Sequence, residues 1–80
     1  MPDQGEFLEL IRMQLGNPAI RLQDRFIADL GVESFDQLRL SAAVENHFKL
    51  TFPEEELSRV RTVGDLWKLV ASVPSLGRGV

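Results

Sequence analysis

Cysteine is absent from these 80 residues, so neither a disulfide nor a thiolate metal site can stabilise the fold. The absence also fits a reducing compartment. His47 is the single histidine, and without thiolates it cannot complete a tetrahedral zinc site unless several carboxylates join it at suitable spacing. No apolar run approaches the roughly 20 residues needed to span a bilayer. The opening Met1-Pro2-Asp3-Gln4-Gly5-Glu6 lacks the basic and apolar zones of a signal peptide. A cytoplasmic chain without stable membrane insertion is the expectation. Basic charge is also scarce: nine Lys and Arg against twelve Asp and Glu give a net charge of −3. The basic residues are scattered, whereas neutralising nucleic-acid phosphates takes a concentrated basic face. No nucleic-acid partner is expected, and a mildly acidic surface suits docking on basic patches of other proteins. No glycine-rich phosphate loop of recognised spacing occurs.

A chain this short supports one domain, since it buries only about 60% of the surface that its unfolded form exposes. What is present is helical patterning. Phe7, Leu8, Ile11 and Leu15 fall at helical spacing between polar residues, predicting a first helix from about Gln4 to Leu15. Gly16-Asn17-Pro18 then stops it. A long connection over residues 16–33 follows, longer than most helix-to-helix links in compact bundles. Ile20, Leu22, Phe26, Ile27, Leu30 and Val32 are expected to pin it across the helices, with room for a helical turn within residues 22–30.

Ser34, followed three residues later by Gln37, reads as a capping box that starts a second helix running to about Phe48. Its core stripe is Leu40, Ala43, Val44 and Phe48. Thr51 reads as the cap of a short third helix, with Pro53 in its first turn, Glu54, Glu55 and Glu56 near its positive end, and its end near Ser58 or Arg59. Thr62, with Asp65 three residues on, caps a fourth helix running to about Ser72, for which Val63, Leu66, Leu69, Val70 and Val73 give the amphipathic pattern. Trp67 is expected to be partly buried on it. The expected domain is 1–73, closed by Pro74, with 74–80 as a flexible tail.

Few residues carry chemistry. Ser34 and His47 lie at opposite ends of one expected helix, about 20 Å apart at a rise of about 1.5 Å per residue, which rules out a catalytic pair. His47 reads as a packed or surface residue, and the three glutamates as complements to a helix dipole. What stands out is Ser34 at a helix start, followed by a second apolar stripe, Phe35, Leu38 and Ala42, set apart from the core stripe and bordered by Asp36 and Arg39. Such a stripe either serves a partner or covers the loop as satellite core.

Several segments carry a family resemblance: Phe26-Ile27-Ala28-Asp29-Leu30-Gly31-Val32-Glu33-Ser34-Phe35-Asp36, then Val44-Glu45-Asn46-His47-Phe48, Phe52-Pro53-Glu54-Glu55-Glu56 and Arg61-Thr62-Val63-Gly64-Asp65-Leu66. In this order and spacing the chain resembles an acyl carrier protein from about Glu6 to Ser72. The resemblance implies an all-α fold, a four-helix bundle of acyl-carrier type with a long loop between helices one and two and a short third helix. It implies a carrier and not an enzyme, with 4'-phosphopantetheine from coenzyme A attached covalently to Ser34 by a phosphopantetheinyl transferase. Acyl cargo would be held as a thioester and presented to acyl-transferring, condensing or ligase enzymes of lipid or polyketide biosynthesis. It implies a monomer whose partner face comprises Glu33, Phe35, Asp36, Leu38, Arg39 and Ala42, with Val60. Leu10, Leu40, Ala43, Val44, Val60, Leu66 and Leu69 are candidates to line a cargo pocket or simply a core.

The sequence departs from the family pattern at several places. Glu33 stands where Asp is usual and Phe35 where Leu is usual, while Arg39, Asn46 and His47 stand where acids are common. A reversed charge on a docking face rejects basic partners, which points to a specialised carrier. An aminoacyl or peptidyl carrier, or a helical interaction protein that has lost carrier chemistry, are the alternatives; Val32-Glu33 before the serine is closer to the acyl type. Ser34→Ala is expected to cost about 1 kcal/mol through loss of the cap.

Overall fold

A computed structural model describes residues 3–72. Four helices follow in order: α1 (Gln4–Leu15), α2 (Ser34–Phe48), α3 (Glu54–Leu57) and α4 (Val63–Ser72). The all-α architecture with a long first loop is as the patterning indicates. Val73, Pro74 and the tail expected over 74–80 lie outside the described residues.

Helix α1 starts at Asp3, whose carboxylate accepts the Glu6 N–H at 3.1 Å. It stops at Gly16, which turns left-handed at φ 64°. The Asn17 N–H then closes on the Arg12 carbonyl at 3.0 Å, satisfying a carbonyl that the helix end leaves unpaired. Phe7 and Ile11 face inward and are fully buried.

The segment 16–33 forms no helix. The turn expected within 22–30 is present without becoming a helix: the Arg25 carbonyl accepts from the Asp29 and Leu30 N–H groups, and the Ile27 carbonyl from the Gly31 N–H. Its backbone groups are spent elsewhere, on the entry to α4. The Phe26 N–H reaches the Arg61 carbonyl at 3.0 Å, while the Asp24 and Leu22 carbonyls accept from Val63 and Gly64 at 2.9 and 2.7 Å. Arg25 and Thr62 form an isolated antiparallel bridge. The Arg12 guanidinium adds a two-pronged bond to the Ile20 carbonyl, at 3.0 and 2.9 Å. Ile20, Phe26 and Val32 are buried and pin the loop as expected, but Ile27 is 60% exposed. It belongs to the surface.

Helix α3 also differs at its start. Pro53 is the N-cap, without a side-chain bond, so Thr51 does not cap it. The approach is held instead by the Glu45 carboxylate, which accepts the Phe52 N–H at 2.6 Å. Helix α4 begins as read: the Asp65 N–H donates to the Thr62 hydroxyl at 3.0 Å, and the Asp65 carboxylate accepts from the Thr62 and Arg61 N–H groups at 3.1 and 3.0 Å. Partial burial works to raise the Asp65 pKa, but those N–H donors, with smaller help from the Thr62 hydroxyl and Lys68, leave it below its ordinary value. Val63, Leu66 and Val70 from α4 meet Phe7, Ile11 and Val44 in one core. Trp67, half-buried, lies tilted on Phe7 with ring centroids 5.4 Å apart.

Candidate functional site at the head of helix α2

Gly31, at φ 67°, turns the chain out of the loop, and buried Val32 anchors it just before α2. Glu33 then takes the N-cap position with extended backbone, φ −77° and ψ 159°, and makes no side-chain cap bond. Its carbonyl accepts the Gln37 N–H at 2.8 Å. Ser34 is therefore the first helical residue and not the cap, a correction to the capping-box reading. With the cap one residue earlier, Gln37 sits a step too far into the helix to reach back. Its side-chain amide goes across to the Val60 carbonyl instead, at 3.3 Å. The Ser34 hydroxyl makes no hydrogen bond among the described residues, and the residue is exposed.

Around Ser34 lies a hollow of about 520 Å³ walled by Ile27 and Ala28 from the loop, Leu38 and Ser41 from α2, Leu57 from α3, and Val60. Arg25, Gln37, Ser58 and Arg61 complete its lining. Three of the polar side chains inside are already committed: Gln37 donates to the Val60 carbonyl, Ser41 to the Gln37 carbonyl at 3.0 Å, and Ser58 to that of Glu55 at 2.7 Å. The hollow therefore offers mostly carbon. A larger hollow, about 1050 Å³, lies between α2, the end of α1 and the first loop. Ser34 takes no part in its walls, which carry Asp36, Arg39, Glu45 and Lys49.

Phe35 and Leu38 stand 69% and 62% exposed, so they do not cover the loop as satellite core. Ala42, Glu33, Asp36 and Arg39 are exposed beside them. Val60 is the exception among the expected partner residues. It is only 5% exposed and serves as core and as a wall of the smaller hollow. The sequence reading missed Ile27, which joins Leu38 at that wall; a loop residue outside any helical period gives no sign of the face it will take. Arg25 and Arg61 were missed for the same reason.

His47 is far from this site. Its Nε2 lies 2.7 Å from Glu6 Oε2, linking the end of α2 to the start of α1, and its ring meets Phe48 edge-on at 4.8 Å. Among the described residues no group of three or more His, Asp or Glu is placed to hold a metal ion, and no helix is long and apolar enough to cross a membrane.

The sequence pattern of the phosphopantetheine attachment site family matches residues 6–70. The chain belongs to the acyl carrier protein family. It carries acyl groups linked to phosphopantetheine and is not itself a catalyst. Among similar carriers, the acyl carrier protein of Clostridium acetobutylicum is 40% identical over 60 residues, spanning 72% of this chain and 78% of that protein. The acyl carrier protein of Wolinella succinogenes is 34% identical over 64 residues, 78% of this chain and 84% of its own. Members of the family work with enzymes that modify them and enzymes that handle their acyl groups. The arm of an acyl carrier needs a hydroxyl that solvent and a modifying enzyme can reach, free of competing bonds, with space beside it. Ser34 meets all three needs. The terminal thiol of the bound arm supplies the thioester chemistry, which is why a chain without cysteine can carry acyl groups.

Proposed function

We propose that Ser34 bears the phosphopantetheine arm and that the surface around it, Glu33, Phe35, Asp36, Leu38, Arg39 and Ala42 with the wall residue Val60, meets the partner enzymes. The observation that carries this reading is the free, exposed hydroxyl at the first residue of a 15-residue helix. The unpaired N–H groups and positive end of such a helix favour a phosphodiester anion beside them. Rigid placement matters too. Gly31, Val32 and the Gln37–Val60 bond hold the hydroxyl's backbone at the head of α2 while leaving the oxygen itself unengaged.

The transferase donates the arm from coenzyme A, and acyl-transferring, condensing or ligase enzymes of a lipid or polyketide pathway then use the loaded carrier as a cytoplasmic monomer. Exposed Phe35 and Leu38 supply the apolar centre of the docking face, where buried apolar anchors contribute most of the binding energy. Arg39 has no carboxylate partner among the described residues. It presents a positive charge to whatever docks, which favours partners with an acid opposite and disfavours basic ones. That supports a carrier dedicated to its own pathway.

The decisive experiment is intact-mass measurement after incubation with coenzyme A and a broad-specificity transferase. The wild-type chain should gain one arm and Ser34→Ala none. An unmodified wild type, beside a carrier of known activity that is modified, overturns the assignment; so does a modified Ser34→Ala.

A further inference from the structure

Charge around the Ser34 hollow is one-sided. Of the residues that line it, only Arg25 and Arg61 are charged, and both are guanidinium groups. This occurs in a chain of net charge −3, whose larger hollow mixes both signs at Asp36, Glu45, Arg39 and Lys49. The two arginines are brought together by the backbone, since Arg25 bridges Thr62 and the Arg61 carbonyl accepts from Phe26. They are not equivalent. Arg25 is answered by Asp29, with Nε to Oδ2 at 3.2 Å, and that bond raises the Arg25 pKa and lowers that of Asp29. Arg61 has no carboxylate within ion-pair reach among the described residues. Its Nη1 donates to the Ser58 and Val60 carbonyls at 3.1 and 3.4 Å, which orients the guanidinium and leaves Nε and Nη2 without a partner among the described residues.

We propose that Arg61, with Arg25 behind it, is the counter-ion for the phosphodiester that joins the arm to Ser34. The inference rests on the Ser34 assignment. On the helix side of the serine, the exposed carboxylates Glu33 and Asp36 repel that phosphodiester. A planar guanidinium with two free donors suits a phosphate oxygen pair. Holding the anion on the Arg61 side draws the base of the arm over the apolar walls of the hollow, at Ile27, Leu38 and Val60, and away from the acids of α2.

The test compares wild type, Arg61→Gln and Arg59→Gln, each with and without the arm. Arg59 is an exposed neighbour paired with Glu56 at 3.3 Å and is outside the hollow's lining. Attachment should raise the melting temperature of the wild type more than that of Arg61→Gln, by about 1–4 °C, as a single part-exposed ion pair in a domain of this size allows. The difference should shrink in high salt. The phosphorus-31 resonance of the arm should move between wild type and Arg61→Gln and stay in place in Arg59→Gln. If all three proteins are loaded, and their phosphorus resonances and attachment-linked melting shifts coincide, the counter-ion role is overturned while the Ser34 assignment stands. If the wild type takes no arm, both fall.

Discussion

The side-chain amide of Gln37 donates to the carbonyl oxygen of Val60 at 3.3 Å, so the first turn of α2 is tied to the strand-like entry of α4 and not to its own N-terminus. This bond takes away the reciprocal partner a capping box needs. It leaves Ser34 as a surface hydroxyl at the helix head, available for modification without loss of a structural contact.

Ser34→Ala should therefore be close to neutral for stability, within about 0.5 kcal/mol, as for other surface substitutions that break no contact. A capping serine would lose about 1 kcal/mol. Urea titration of the two unmodified proteins distinguishes these values, and a loss near the larger figure would show that the hydroxyl does cap α2 in solution.

Asp65→Asn should destabilise the fold by about 1 kcal/mol at neutral pH, because the Asp65 carboxylate closes the box at the start of α4. Its folded-state pKa lies below the ordinary 3.8. The stabilisation is thus present above the ordinary carboxylate range and lost as pH falls through the folded value. Thermal melts of both proteins should differ at pH 7 and converge in acid. A gap that stays constant or widens as the pH falls below the ordinary carboxylate range contradicts this account.

Gly31→Ala tests the turn that delivers the chain to Ser34. A Cβ there meets nothing within 4 Å, but the residue sits at φ +67°. The loss is then purely one of backbone conformation, about 1–2 kcal/mol, read as a lower urea midpoint with an unchanged slope. Loading at Ser34 should also slow.

Arg39→Glu should leave stability within about 0.5 kcal/mol, since Arg39 is exposed and has no ion-pair partner among the described residues. Once loaded, the variant should be used better than the wild type by enzymes of ordinary fatty-acid elongation, on the order of tenfold where a basic patch meets it. Turnover assays with purified elongation enzymes decide it, and equal rates for both proteins would count against a dedicated pathway.

Much of the helix framework was legible in sequence because it depends on local chemistry. Gly16 ends α1, Thr62 and Asp65 open α4, and the apolar spacing of Leu40, Val44 and Phe48 orients α2. The misreadings share a cause. Ser34 with Gln37, and Thr51 with Glu54, carry cap patterns that the chain does not use, because Gln37 finds Val60 and the Phe52 N–H finds Glu45 at 2.6 Å. Gln37's partner lies 23 residues on, and Phe52's lies back inside α2 beyond the turn that ends it, so neither pairing follows from a cap pattern of adjacent residues.

The sequence by itself determined a small helical protein, through helical periodicity, and a resemblance to acyl carriers, through the segment around Ser34, since both are properties of adjacent residues. Only the tertiary structure decided which surfaces surround that serine. Pairing of the first loop with the entry to α4 brings Arg25, Ile27 and Arg61 to one hollow, beside which Phe35 and Leu38 are exposed and Val60 is buried. Residues far apart in the chain become neighbours there because backbone groups of the loop, denied a helix of their own, find their hydrogen bonds at the start of α4.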